Sequence, residues 1–164
     1  MFKNKKGFSL IELTAVVATI LIIAGIAIPQ YRSASLKTKI VTGMGFMQVL
    51  QDDFLNYWNL TNSRPTNLKQ LSINTDEFTN FQFGDKAADH IPTGCSFLLL
   101  GSEDNPAIRM GCKDFSLLYT IKFIHGMPER GTRRLGHGAD NEALINKIAP
   151  QLGFTHDAGG WVLD

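Results

Sequence analysis

From Phe8 to Ile28 the chain carries 21 residues whose only ionisable side chain is Glu12. That length matches the ~20 residues a helix needs to cross the hydrocarbon of a bilayer, which is longer than a small soluble core demands. Lys3, Lys5 and Lys6 precede the run, and basic residues ahead of a first span hold that end in the cytoplasm. The remainder is then expected on the far side. A secretory signal also has a basic start and an apolar region, and Ala24-Gly25-Ile26-Ala27 offers small residues where such a signal is cut. Two features argue against it. The run exceeds the ~7–15 residues of a usual signal core, and a carboxylate sits one helical turn inside it. A plain uncleaved anchor is a further alternative.

A carboxylate in the apolar part of a helix costs a few kcal/mol near the bilayer centre and less near its edge, so it is expected to have a partner. The surrounding residues sharpen this. Gly7-Phe8-Ser9-Leu10-Ile11-Glu12-Leu13, followed by Ala27-Ile28-Pro29-Gln30-Tyr31, resembles the amino terminus of type IV pilins, and the short leader with Phe8 after it resembles the type IVa subclass. The resemblance covers roughly the first quarter of the chain. It implies cleavage between Gly7 and Phe8 by a prepilin peptidase, methylation of the new Phe8 amine, and assembly into a filament. Glu12 would be the assembly residue, meeting the Phe8 amine of a neighbouring subunit. The implied partners are other copies or related pilin subunits, the inner membrane, the peptidase and the pilus assembly machinery. The implied location is the inner membrane before assembly, as a single-pass protein with a cytoplasmic amino terminus and a periplasmic carboxy-terminal domain, and an extracellular pilus afterwards.

The expected organisation is a leader over 1–7, a membrane or filament-core helix over 8–28, and a globular domain over 29–164. That domain divides into a helix over 29–58, a variable connection over 59–94, a sheet region over 95–124 and a carboxy-terminal region over 125–164. With 164 residues, an anchor leaves enough chain for one modest core. Formal charge is +1, and loss of three leader lysines shifts it to −2, which argues against strong nonspecific attraction to nucleic acid.

After the anchor, Pro29 removes a backbone donor and Gly25 lowers helix propensity, so a kink is expected there in a continuous helix. Apolar residues then recur at Leu36, Ile40, Met44, Met47, Leu50, Phe54 and Tyr57 or Trp58, at steps of three and four. Lys37, Lys39, Gln48, Gln51, Asp52 and Asn56 lie on the other side, giving an amphipathic spine. Gly43 and Gly45 mark a bend or a close contact. A helix from Phe8 to Trp58 is ~75 Å long at the standard rise. Residues 59–94 are turn-rich, with Phe78, Phe81 and Phe83 suggesting a strand-like piece.

Cys95 and Cys112 are the two cysteines, and six turn-forming residues, Gly101 to Pro106, lie between two apolar segments. Pairing Leu100 with Ala107 sets Cys95 opposite Cys112, which predicts a disulfide closing a hairpin; export to an oxidising space favours it. Two cysteines and the scattered His90, His125, His137 and His156 do not make a metal site. Neither metal nor cofactor is expected. Ser116 to Ile124 reads as another strand. Glu129 to Gly138, with Arg130, Arg133 and Arg134, reads as a solvated basic loop, and DNA contact there is the weaker reading. Asp140 is expected to cap a helix from Asn141 to Ala149 with Ala143, Leu144 and Ile148 on one face, and Trp161 and Val162 to pack on the sheet edge. His156 beside Asp157 is a pair that acid-base chemistry uses, but no motif places a nucleophile with it, so no enzyme is expected.

The sum is an α+β chain: a long amino-terminal helix, half anchor and half spine, packed on a small antiparallel sheet. Its expected work is that of a pilus-like filament subunit supporting adhesion, motility or DNA uptake. The alternatives are a pseudopilin of a type II secretion system and, from another class, an anchored binding module that never polymerises.

Overall fold

The computed structural model describes residues 9–65, 70–72, 95–102, 105–138 and 140–163. Helix α1 runs from Leu10 to Thr61 and contains Pro29 without interruption. The chain divides into two compact units, Met1–Leu36 and Lys37–Asp164. In the first unit the helix carries the apolar run. Its hydroxyls turn inward on the helix backbone, Thr14 Oγ1 donating to the Ile11 carbonyl at 3.0 Å and Thr19 Oγ1 to those of Ala15 and Val16 at 3.1 and 2.8 Å. Their polarity is thereby satisfied without an outside partner.

The second unit is α1 from Lys37 onward laid on a six-stranded sheet. The strands are β1 (Cys95–Ser102), β2 (Asn105–Cys112), β3 (Phe115–Ile124), β4 (Met127–His137), β5 (Thr155–Asp157) and β6 (Gly160–Leu163), ordered β1-β2-β3-β4-β6-β5 with every neighbouring pair antiparallel. Helix α2 (Glu142–Ile148) and a 3-10 turn at Ala149–Leu152 connect β4 to β5. The expected α+β architecture, a long helix over an antiparallel sheet, is the one observed.

The core follows from period. On β3 the buried residues alternate, Phe115, Leu117, Tyr119 and Ile121, as a strand with one covered face requires. On α1 they recur at Ile40, Met47, Leu50, Gln51 and Phe54. Gly43 completes this inner face: a Cβ there would stand 3.2 Å from both Leu117 Cδ1 and Met110 Sδ, so the bare backbone lets the helix settle on β2 and β3. It is the close contact that the sequence suggests, and Met44, expected in the apolar stripe, is only half-buried. Phe46 meets Phe97 edge-on at 5.1 Å, and Trp58 meets Phe123 at 4.8 Å. Each large apolar side chain fully removed from water contributes about 1.5–3 kcal/mol.

Four sequence expectations change here. Gln51, assigned to the polar face, is completely buried, because its Nε2 donates to the Thr120 carbonyl at 3.0 Å. The basic stretch after His125 is not a loop. His125 and Gly126 take positive φ (53° and 78°), making the two-residue turn that matches strand twist, and Ile124 pairs with Met127 as β4 begins. Asp140 does not cap α2: Asn141 holds that position, with its side chain donating to Asp114 Oδ1 at 3.1 Å, and the buried α2 residues are Ile145 and Ile148. Trp161 and Val162 lie in β6, one strand in from the edge.

The β3–β4 ladder has one irregularity. Tyr119 pairs with Arg133 and Ile121 with Arg130, leaving Gly131 and Thr132 opposite Thr120 alone, which is a β-bulge. A Cβ on Gly131 would lie 2.7 Å from the Thr120 carbonyl oxygen, so the bulge requires glycine. Thr120 Oγ1 donates to the Thr132 carbonyl at 3.0 Å, and Gln51 reaches the Thr120 carbonyl from the helix.

Candidate functional site

The first unit exposes what the second one hides. Leu10, Ile11, Leu13, Val16, Val17, Ile20, Leu21, Ile22, Ile23, Ile26 and Ile28 are all exposed. By length and composition α1 is apolar enough to cross a membrane, and its most apolar window has no buried residue. In water such a surface is unstable against association, so it needs lipid or protein around it. Gly25 has nothing within 4 Å of its Cβ position, in contrast to Gly43.

Glu12 lies in the first turn of this surface. Its Oε2 accepts hydrogen bonds from the Ser9 amide at 2.9 Å and the Ser9 hydroxyl at 3.0 Å, while the Glu12 amide donates to Ser9 Oγ at 3.2 Å. The Ser9 carbonyl in turn accepts from the Leu13 amide at 3.1 Å, the first bond of the helix. Ser9 is therefore the N-cap and Glu12 the third helical residue of a reciprocal capping box. The Ser-x-x-Glu spacing ahead of an apolar run was readable in the sequence and went unread. Gly7 and Phe8, the expected cleavage and methylation positions, lie outside the described residues.

Cys95 and Cys112 form a disulfide, in the register expected: they are paired residues of β1 and β2, with Leu100 opposite Ala107. The bridge fastens the end of the edge strand β1, and a closed loop of this length contributes roughly 3 kcal/mol in the chain-entropy view.

The arginines of β4 are occupied within the fold. Arg130 pairs with Asp52 on α1. Arg134 reaches both oxygens of Asp157, at 3.1 and 3.4 Å, and Asp157 also accepts from the Gly159 amide at 2.7 Å. Arg133 stands over the Tyr119 ring, 5.3 Å from its centre. Tyr119 is buried and donates its hydroxyl to the Met44 carbonyl at 3.3 Å. Burial pushes its acidity above the ordinary tyrosine range, and the Arg133 charge opposes that. With each cation engaged, this strand is a weak anchor for a polyanion.

The histidines are scattered as the sequence suggests: His125 in a turn, His137 against the Gly138 carbonyl, and His156 edge-on to Trp161 at 5.0 Å, while His90 lies outside the described residues. Among the described residues no three His, Cys, Asp or Glu side chains converge. Asp157, bound to Arg134 and Gly159, is held by partners other than its neighbour His156. The most connected polar residue is one the sequence did not single out. Asp114 accepts from Lys39 at 3.2 Å and from Asn141, and its carbonyl accepts from the Gly138 amide at 3.0 Å, tying α1, the β2–β3 turn and the entry to α2 together.

No protein-family model matches this chain, and neither a curated protein nor a solved structure matches it at a significant level.

Proposed function

We propose that this chain is a structural subunit of a type IV pilus-like filament, anchored in the inner membrane by α1 and assembled through that same segment. One observation carries the reading: an apolar helical surface of bilayer length, wholly uncovered, holding a single carboxylate at its amino-terminal end. Lipid suits the apolar residues. It does not suit the carboxylate, which gains a counter-charge when like helices bundle and a neighbour's amine comes alongside. The resemblance around Gly7, Phe8 and Glu12 supplies that amine, by cleavage before Phe8 and methylation of the new terminus. A disulfide-bearing domain suits an oxidising space outside the cytoplasm.

Mass spectrometry of the subunit from sheared surface filaments tests this reading. The expected subunit begins at Phe8, carries one methyl group on its amine and retains the Cys95–Cys112 bond. A subunit that begins at Met1, or that begins beyond Ala24, overturns it. Deletion that stops protein secretion while surface filaments persist replaces it with the pseudopilin reading.

A further inference from the structure

We infer that Ser9 is a positioning residue for assembly, holding one oxygen of the Glu12 carboxylate so that the other is presented to a second copy of the chain. The inference rests on the filament reading above and adds a residue to it.

Both Ser9 donors converge on the same atom, Oε2, at 2.9 and 3.0 Å. Among the described residues Oε1 receives no hydrogen bond. An ionised carboxylate has about four acceptor sites, and the box fills two of them on one side. A free glutamate in lipid turns through several rotamers and can reach toward headgroups. This one is fixed at both ends of its side chain, because the Glu12 amide is itself bound to Ser9 Oγ at 3.2 Å. The carboxylate therefore meets an arriving ammonium group with one oxygen already satisfied and one aimed outward. Less ordering remains to be done when the subunits join. The hydroxyl is the part that matters, since any residue but proline at position 9 keeps the amide bond to Oε2.

Three full-length variants in the producing cell separate this role from simple helix capping. Glycine caps a helix within a few tenths of a kcal/mol of serine yet has no hydroxyl. Ser9→Gly thus preserves the helix start and loses the donor to Glu12, whereas Ser9→Thr keeps both. The reading is sheared filament per unit of membrane subunit, with cleavage before Phe8 checked by mass. Ser9→Gly is expected to be cleaved and to assemble about tenfold less, the size of one hydrogen bond to a charged group. Ser9→Thr is expected within about twofold of the parent. Glu12→Val, run alongside, is expected to assemble least.

If Ser9→Gly assembles like the parent while Glu12→Val does not, the positioning role is wrong and the filament reading stands. If Glu12→Val also assembles normally, the carboxylate is not the assembly group and that part of the filament reading falls. Failure of Ser9→Thr together with Ser9→Gly, or an uncleaved Ser9→Gly chain, also overturns the inference, because the hydroxyl would then not be acting through Glu12.

Discussion

The two glycines Gly25 and Gly43 stand for the two regions they occupy. Around Gly25 the helix is bare on every side, and a Cβ meets nothing within 4 Å; around Gly43 methionine and leucine side chains close to 3.2 Å. The same secondary structure thus serves opposite purposes. In the first unit, apolar residues all round make a surface that asks for an outside medium. In the second, a stripe of the same residue types, backed by polar ones, makes a core. Apolar content alone does not distinguish them; the angular spread of that content does.

Substitutions that strike one region and spare the other sharpen this contrast. The largest effect is expected from Glu12→Val, which leaves an incoming amine unpaired in an apolar bundle. Breaking such a pair costs ~3–5 kcal/mol, so filaments should fall more than a hundredfold while the thermal melt of the detergent-solubilised chain stays unchanged. An equal shift in both would erase the distinction. Phe54→Ala, at a site completely buried in the second unit, should do the reverse. It should lower unfolding stability in urea by ~3–5 kcal/mol, followed by tryptophan fluorescence, with membrane insertion intact.

Smaller effects come from pairs inside one helix. Gly45 has nothing within 4 Å of its Cβ position, so Gly45→Ala should stabilise the fold by about 0.5–1 kcal/mol through helix propensity. Gly43→Ala should lose that gain to the contacts at 3.2 Å, and matching melting shifts for the two would show that the close approach is unimportant. The smallest effect is alkaline. Tyr119 titrates higher in the folded chain than its unfolded value of ~10, so the folded form holds its proton longer. Stability from this group is whole below pH ~10 and declines as pH rises through the interval up to the folded value. Tyr119→Phe should flatten that decline in a pH series of urea midpoints; an unaltered slope would mean another group governs it.

Local pattern made part of this legible. The apolar run and its lone glutamate, the Cys95 to Cys112 register, β3 and the spacing of the inner helix face are all properties of short stretches, and the structure keeps them. What escaped depends on residues far apart. Arg130, Arg133 and Arg134 read as solvated because their partners Asp52, Tyr119 and Asp157 lie elsewhere in the chain. Gln51 read as surface for the same reason, its acceptor being Thr120 at the bulge. Phe78, Phe81 and Phe83, read as a strand-like piece, lie outside the described residues. At the carboxylate, the role of Glu12 came from family likeness, whereas its tether to Ser9 is a three-residue signature that an anchor-first reading passed over.

The sheet finishes at β5 with Thr155, His156 and Asp157, three exposed residues bearing polar side chains. So short and hydrophilic a border is a poor template for another strand. Copies crowded side by side would find no purchase for ribbon-to-ribbon fusion along that border, so a regular array of them has to take its order from other surfaces.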